Sequence, residues 1–329
     1  MKKFHLFLIL ISILSIFVRP VHQAAAQNAE EVGNNSEDRV RLIIRADDIG
    51  FCHGVNDAIK RILEEGVVTS VSVMVTTPWL GEAVEIMKQH PEVSTGVHLT
   101  LNSEWKEFRW GPVLPANEVP SLVDAFGHFY GSRTELMKHK PKVEEVAAEL
   151  KAQMELAYRM GLPVSYVDYH MSAAVSTLEF QEEVEKLALE YHVGISRYFG
   201  EQDTPNVYKI DPPNKLEEGI RIIESLKEPG IYLLVVHPGT DNPEMAAMTD
   251  LNTFGLKNMS RHRQAITDML CDPGFKEAIE RNNIELINYK DLAAEGLHKM
   301  KRGFVSEPYD QVVGKALPPS PYDKFEAKK

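Results

Sequence analysis

The chain has 329 residues, enough for one large α/β domain or two ordinary ones, and its 43% hydrophobic and 26% charged residues are typical of a globular protein. The net charge of −12, with no long cluster of Lys and Arg, argues against nucleic acid or an anionic membrane surface as a partner. Neutral or cationic substrates suit such an acidic protein better.

The first 26 residues have the layout of a secretory signal peptide. Lys2 and Lys3 precede an apolar run over residues 4–18, and three alanines at 24–26 form a small-residue cleavage site. The run is too short to remain as a membrane-spanning helix, and no cysteine follows it for lipid attachment. Cleavage would change the net charge from −12 to −15, because it removes three basic residues and no acid. We expect an exported protein, periplasmic or secreted, that is not inserted in the membrane after cleavage.

A polar, flexible lead over residues 27–39 precedes a region in which strand-like and helix-like patterns alternate, from residue 40 to residue 300. In chain order, the sequence predicts a strand at 42–44, a helix at 56–65 capped by Asn56, a strand at 68–75, a helix at 80–90, a strand at 95–101, a long insertion at 102–140, a helix at 142–160, a strand at 164–168, a helix at 178–191, a strand at 193–196, a helix at 216–226, a strand at 231–236, helices at 260–270 and 273–282, a strand at 284–287 and a helix at 291–298. The proline-containing segment 301–329 is predicted to be an extended tail.

Seven strands that alternate with helices predict an α/β fold with a parallel sheet and helical crossovers. A closed or nearly closed barrel of seven β/α units fits better than an open doubly wound sheet, because no glycine-rich dinucleotide loop follows the first strand. No internal repeat is evident in the sequence.

Two adjacent acids, Asp47 and Asp48, follow the first apolar strand. Ligands bind at the carboxyl ends of strands in α/β folds. Two desolvated neighbouring carboxylates cannot both ionise freely, and a cation beside them would remove that conflict. The alternative is that the pair only begins a turn or caps the next helix.

Histidines and another acid recur at the ends of three other predicted strands. His98 lies in the third strand, Asp168 and His170 end the fourth strand two residues apart, and His237 follows the sixth. A single histidine in a strand is more often a hydrogen-bonded core residue than a ligand, but equivalent positions on several strands favour a common site. One carboxylate and two imidazoles are a common ligand set for a divalent ion.

Four motifs in order resemble those of the YdjC/ChbG group of carbohydrate deacetylases, over about residues 41–292. They are Asp-Asp-Ile-Gly followed by Asn-Asp-Ala-Ile, then Gly-Val-His-Leu-Thr-Leu, then Asp-Tyr-His-Met, then His-Pro-Gly. The resemblance implies the distorted seven-stranded (β/α) barrel of polysaccharide deacetylase-like enzymes. It also implies hydrolysis of N-acetyl groups on the amino sugars of an oligosaccharide or glycan.

The same resemblance assigns roles to five residues. Asp48, His98 and His170 match the metal ligands, Asp47 matches the catalytic base, and His237 matches the acid. The more familiar pair of histidines four residues apart is absent, since Asn102 stands four residues after His98. Zn²⁺ suits two imidazoles and one carboxylate, while an open, water-rich site would also accept Mg²⁺, Mn²⁺ or Co²⁺.

Five further residues are weaker candidates, each with a structural alternative. Trp105 and Trp110 offer flat faces for sugar rings, or attach the long insertion to the barrel. Arg261 and Arg263 could bind a sugar or orient Asp47, or could form a solvated helix start. Asp168 could orient a ligand histidine from outside the ligand set, or could be an exposed acid at a strand end.

Two other functions fit the same residues. One is a metal-dependent amidase or esterase that acts on a non-sugar acyl group, and the other is a glycan-binding protein without catalysis. The sequence leaves a homodimer open as the state of assembly. It also leaves open a disulfide between Cys52 and Cys271, although a buried free thiol is the better prediction for Cys52.

Overall fold

A computed structural model describes residues 38–302, and eight parallel strands form the sheet at its centre. The strands are β1 (Val40–Ile49), β2 (Ser70–Val73), β3 (Ser94–Leu99), β4 (Val164–Tyr169), β5 (Gly194–Ile195), β6 (Gln202–Asp203), β7 (Gly230–Val236) and β8 (Glu285–Leu286). Their order is β5-β4-β3-β2-β1-β7-β6, and β8 pairs with the first part of β1. The first strand is therefore central, with β7 on one side and β8 followed by β2 on the other.

Helices connect the strands in the alternation that the sequence predicts. They are α1 (His53–Glu65), α2 (Leu80–Gln89), α3 (Arg133–Lys138), α4 (Val143–Arg159), α5 (Leu178–Tyr191), α6 (Lys215–Ser225), α7 (Pro243–Ala246), α8 (Met259–Cys271), α9 (Pro273–Arg281) and α10 (Tyr289–Gly296). The predicted fold class, a distorted (β/α) barrel, is confirmed. The two-residue strand β6 is an addition that the sequence did not indicate.

The two faces of β1 pack against different surroundings. Leu42 and Ile44 belong to the large hydrophobic cluster between the sheet and the helices. Ile43 points the other way, into a smaller cluster that includes Tyr166 and Tyr289 on the inner face of the curled sheet. Since side chains alternate along a strand, Arg45 and Asp47 continue the inner face towards the carboxyl end.

Gly96 in β3 makes room for the largest side chain of that inner cluster. A Cβ atom at Gly96 would lie 2.3 Å from the ring of Tyr166, its neighbour in β4. The Tyr166 ring stacks on Tyr289, and its hydroxyl lies 2.8 Å from Ser72 Oγ. Close packing below the carboxyl ends of these strands gives the site above them a rigid floor.

The main differences from prediction concern where strands end and helices begin. β1 runs on to Ile49, so both acids lie within the strand and not after it. Asn56 does not cap α1, which begins at His53. Asn56 instead accepts a hydrogen bond from the Gly50 amide at 2.7 Å and holds the turn between β1 and the helix. The long insertion after β3 contains the short helix α3.

Three predictions concern the ends of the chain and its cysteines. The predicted signal peptide, most of the flexible lead and residues 303–329 of the tail lie outside the described residues. Within residues 38–302, no helix is both long and apolar enough to cross a membrane. Cys52 is buried and Cys271 is partly buried, and both are free thiols, as the prediction for Cys52 required.

Candidate functional site

Asp47 and Asp48 both reach the site because β1 is irregular at this point. In a regular strand, adjacent side chains would point to opposite faces. The pairing of β1 with β2 shifts register between Ala46 and Ile49, and Asp48 has a φ of 77°. Such a bulge re-aims a side chain, and aspartate tolerates the left-handed conformation better than most residues. Both carboxylates are consequently buried at the carboxyl end of the sheet.

The three residues matched to the metal ligands bring one atom each to a common point. Asp48 Oδ1 lies 3.5 Å from His98 Nε2 and 3.4 Å from His170 Nδ1, and the two ring nitrogens are 3.3 Å apart. Donor atoms that surround an ion tetrahedrally at about 2.1 Å lie about 3.4 Å from one another. The triangle therefore has the size that a small divalent cation requires, and its donors are the types that Zn²⁺ prefers.

Each of these histidines has a carboxylate at its other ring nitrogen. Asp168, the in-register neighbour of His98 on β4, places Oδ1 3.0 Å from His98 Nδ1. Glu104, from the insertion after β3, places Oε2 3.0 Å from His170 Nε2. A carboxylate at the outer nitrogen fixes the orientation and the tautomer of a metal-ligating histidine.

Arg45 joins Asp47 to Asp168 beneath the site. Its Nε and Nη2 donate to the two oxygens of Asp47 at 2.7 and 2.8 Å, and Nη2 also lies 3.0 Å from Asp168 Oδ2. Nη1 donates to Ser196 Oγ at 2.6 Å. Although burial opposes ionisation, Arg45 and His98 lower the pKa of Asp47. The base candidate is thus held as a carboxylate in a single orientation.

Arg263 from α8 holds the second acid. Its Nη2 donates to Asp48 Oδ2 at 2.7 Å, which leaves Asp48 Oδ1 facing the two histidines without a hydrogen bond. Burial opposes ionisation here as well, but Arg263 and His170 hold the pKa of Asp48 well below its usual range. The prediction that an arginine of this helix orients Asp47 is therefore wrong for Arg263, which is buried and contacts Asp48, while Arg45 orients Asp47.

The buried charges of the site favour a divalent cation. Four carboxylates and two guanidinium groups are buried here, which leaves two negative charges for the histidines or an ion to balance. The carboxylates belong to Asp47, Asp48, Glu104 and Asp168, and the guanidinium groups to Arg45 and Arg263. The same negative charge raises the pKa of His98, and it raises that of His170 to about 10, although burial alone would lower both. The residues present therefore fit one ion with a charge of two.

His237 follows β7 and lies beside the acids. Loss of hydration lowers its pKa to about 4, although Asp48 and Asp47 oppose this effect. The ring of Tyr208 packs against it with a centroid distance of 5.1 Å. The imidazole is thus neutral at neutral pH, and its Nδ1 has no hydrogen-bond partner among the described residues.

The candidates for sugar binding occupy less open positions. Trp105 and Trp110 are each only 3% exposed, and both pack around Phe51, next to the site. This is the packing expected if they attach the insertion to the barrel. The side chain of Arg261 is 71% exposed, and its nearest acid is Asp241 at 3.8 Å. Sugar binding stays a prediction for all four candidates, which are Trp105, Trp110, Arg261 and Arg263.

Sequence reasoning missed Arg45 and Glu104. Arg45 interrupts an apolar strand two residues before Asp47, and this spacing places both side chains on one face. That spacing was a signal in the sequence. Glu104 lies in an irregular insertion, where no periodic pattern indicates which way a side chain points, so its contact with His170 could not be inferred.

Comparison with known proteins is consistent with this geometry. The profile of the YdjC-like protein family matches residues 41–281. A carbohydrate deacetylase of Brevibacillus brevis is 29% identical over 269 residues, which cover 77% of this chain and 100% of that protein. A carbohydrate deacetylase of Oceanobacillus iheyensis is 30% identical over 251 residues, which cover 73% and 100%. A crystal structure from Enterococcus faecalis, of a candidate cellobiose-phosphate cleavage protein, is 26% identical with a TM-score of 0.64, and covers 77% of this chain and 99% of that one.

The matched region contains the whole site. It begins within β1 and ends with α9, so the two acids, the ligand histidines, His237 and both buried arginines all lie inside it. The resemblance first seen in four short motifs is therefore confirmed, and this chain belongs to the YdjC-like protein family.

Proposed function

We propose that this protein is a metal-dependent carbohydrate deacetylase, which hydrolyses the N-acetyl group of an amino sugar in an oligosaccharide or glycan. The triangle of Asp48 Oδ1, His98 Nε2 and His170 Nδ1 is the observation that carries the proposal. Asp47 stands beside this triangle but outside it, since both of its oxygens are engaged by Arg45. Relatives that are matched over their whole length and are named carbohydrate deacetylases support the choice of substrate class.

Asp48, His98 and His170 would hold the metal ion. A bound divalent ion lowers the pKa of water and polarises a carbonyl group, which supplies the nucleophile and the electrophile that amide hydrolysis at neutral pH requires. The two carboxylates at the outer histidine nitrogens keep both rings in the orientation that this role requires.

Asp47 is suited to accept the proton of the attacking water. It is ionised and fixed in place by Arg45, and a general base so placed contributes about 10²–10⁴-fold in rate. The water oxygen forms a bond to the acetyl carbon, the C–N bond breaks, and the products are acetate and a free amine.

His237 is suited to return a proton to the departing nitrogen. The amine is a poor leaving group unless it is protonated as the C–N bond breaks. Because the pKa of His237 lies near 4, the ring must gain a proton before it can act as the acid. The attacking water releases one proton at Asp47, so the number of protons taken up and given back is equal. The unpartnered Nδ1 leaves one ring nitrogen free of competing hydrogen bonds.

The proposal is tested by metal content and acetate release measured on the same preparation. We expect about one divalent ion per chain, which identifies the metal, and acetate release from N-acetylated chito-oligosaccharides that a chelator abolishes and added metal restores. Full activity in a metal-free preparation would contradict the mechanism. Acetylated peptides and simple acetate esters, assayed in parallel, show whether the acyl donor is a sugar.

We also propose that the mature protein is exported. The proposal is supported by the basic start, apolar run and small-residue site within residues 1–26. Expression of the full chain in a bacterial host, followed by cell fractionation and N-terminal sequencing, should recover a protein that begins near Gln27 outside the cytoplasm. A cytoplasmic protein with an intact N-terminus would contradict it.

A further inference from the structure

Glu104 makes a buried contact with a ligand histidine from outside the ligand set. Its Oε2 lies 3.0 Å from His170 Nε2, and each side chain is only 6% exposed. A buried carboxylate is costly unless it is paired, so the contact is part of the folded site and not a chance surface pair. None of the motifs that define the site includes this residue.

The insertion holds Glu104 in place through its backbone and its neighbours. The Glu104 carbonyl accepts a hydrogen bond from the Leu251 amide at 2.7 Å, which ties it to the loop before α8. Asn102 Nδ2 donates to Glu104 Oε2 at 3.3 Å, and the Asn102 carbonyl accepts from the indole of Trp110 at 2.9 Å. The carboxylate therefore has little freedom to turn away from His170.

This contact determines which ring nitrogen of His170 is available. With Nε2 protonated and donating to Glu104, the lone pair of the neutral ring lies on Nδ1, the atom that meets Asp48 Oδ1 and His98 Nε2. Asp168 stands in the equivalent place at His98, with Oδ1 3.0 Å from Nδ1, although these two atoms are not aligned for a hydrogen bond. The two ligand histidines thus use opposite nitrogens, and each has its own carboxylate.

We propose that Glu104 is a positioning residue of the metal centre, which selects the Nε2-protonated tautomer of His170 and presents Nδ1 to the ion. The inference deepens the proposed metal-dependent function and rests on it. It assigns the insertion after β3 a part in metal affinity.

The test compares metal affinity among four variants and the wild-type protein. Metal-free preparations are titrated with Zn²⁺ against a chromophoric chelator, which needs no sugar substrate. Glu104→Gln keeps an acceptor and loses the charge, Glu104→Ala loses both, and Asp168→Asn is the equivalent change at His98. Loss of such a partner typically weakens metal binding 10–100-fold, so we expect Glu104→Ala to bind most weakly and Glu104→Gln to fall between it and wild type.

Glu149→Gln is the matched control for a purely structural role. Glu149 is also buried and holds the same insertion, by accepting hydrogen bonds from the amides of Val113 and Leu114 at 2.9 and 3.0 Å. It contacts none of the ligands among the described residues. We expect this variant to lose stability but to bind Zn²⁺ as tightly as wild type. An equal loss of affinity in Glu149→Gln and Glu104→Gln would overturn the proposal.

A measurement on the wild-type protein keeps the test decisive if the variants fold poorly. In ¹⁵N-labelled protein loaded with Zn²⁺, the imidazole spectrum of His170 should show a protonated Nε2 with slow solvent exchange. A spectrum with Nδ1 protonated, or unchanged affinity in both Glu104 variants, would overturn the inference. Failure of wild-type protein to bind any divalent ion would instead refute the proposed function itself.

Discussion

Asp47 and Asp48 are neighbours in sequence but differ in their partners. Arg45 engages both oxygens of Asp47, whereas Arg263 engages only one oxygen of Asp48. The free oxygen of Asp48 faces two imidazole nitrogens. This asymmetry suits one acid to proton transfer and the other to metal binding, and it gives a physical basis to the roles that the family resemblance implied.

Two substitutions separate these roles. Asp47→Asn should keep about one metal ion per chain and lose about 10²–10⁴-fold in kcat, because only the proton acceptor is removed. Asp48→Asn should lose the ion, because an amide oxygen is a weaker ligand than a carboxylate. Metal content by elemental analysis, together with kcat for acetate release, measures both effects. Loss of metal in Asp47→Asn with retention in Asp48→Asn would mean that the two acids have the opposite roles.

Arg45 should control the orientation of Asp47. Arg45→Lys keeps the buried positive charge but cannot form the two parallel hydrogen bonds, and a misplaced catalytic group costs about 10²-fold in rate. We expect kcat to fall by about that factor while KM changes little, since Arg45 lies beneath the acids. Steady-state kinetics on a chito-oligosaccharide gives both constants.

Arg197→Lys is the matched control for this change. Arg197, in the loop after β5, also forms a forked pair, with Asp203 of β6 at 2.8–3.1 Å, but this pair does not contact Asp47. Its kcat should stay within about twofold of wild type. Equal losses in the two variants would show that arginine-to-lysine changes act here through stability and not through Asp47.

At the scale of elements, the strands were more predictable than their irregularities. The alternation of apolar runs with amphipathic helices predicted seven of the eight strands, and strand ends predicted where Asp47, His98, His170 and His237 meet. The bulge in β1 was not predictable, because its cause is the register of β1 against β2 and not the local sequence. Glu104 was missed, and Arg263 was given Asp47 in place of Asp48 as its acidic partner, for a related reason: their contacts join segments far apart in the chain.

The segment between β6 and α6 depends on a buried lysine. Lys215 is fully buried, and its Nζ donates to the carbonyls of Val207 and Tyr208 at 2.7 and 2.9 Å. These contacts fix Tyr208, whose ring packs on His237. Burial lowers the pKa of Lys215 to about 8 from its ordinary value of 10.5.

This pKa predicts how stability depends on pH. Between pH 8 and 10.5 the unfolded chain binds a proton at Lys215 that the folded protein does not, so the free energy of unfolding rises with pH in that window. Relative to Lys215→Met, wild type should gain about 1–3 kcal/mol from pH 7 to pH 10.5, after allowance for screening. Urea unfolding of both proteins at pH 7, 9 and 10.5 measures this difference. A constant difference would show that the lysine titrates normally.

For the whole molecule, the site is a place where folding leaves an unfavourable charge. Within the site, the buried carboxylates outnumber the buried guanidinium groups by two, and without an ion only protons on His98 and His170 offset this excess. Composition gave only the overall acidity, and could not indicate that part of the negative charge is collected at one end of the sheet. An ion that binds the folded chain alone should therefore stabilise it by mass action.

Metal removal should lower the melting temperature of wild-type protein. At a free metal concentration about 100-fold above Kd, the ion contributes about 2.7 kcal/mol, which corresponds to roughly 5–10 °C for a domain of this size. Asp48→Asn should show almost no metal-dependent shift, whereas Asp47→Asn should show the full shift, because only the first variant loses a ligand. Calorimetry of each protein, with chelator and with excess Zn²⁺, provides the comparison. Identical melting of metal-loaded and metal-free wild type would mean that the ion does not relieve the buried charge.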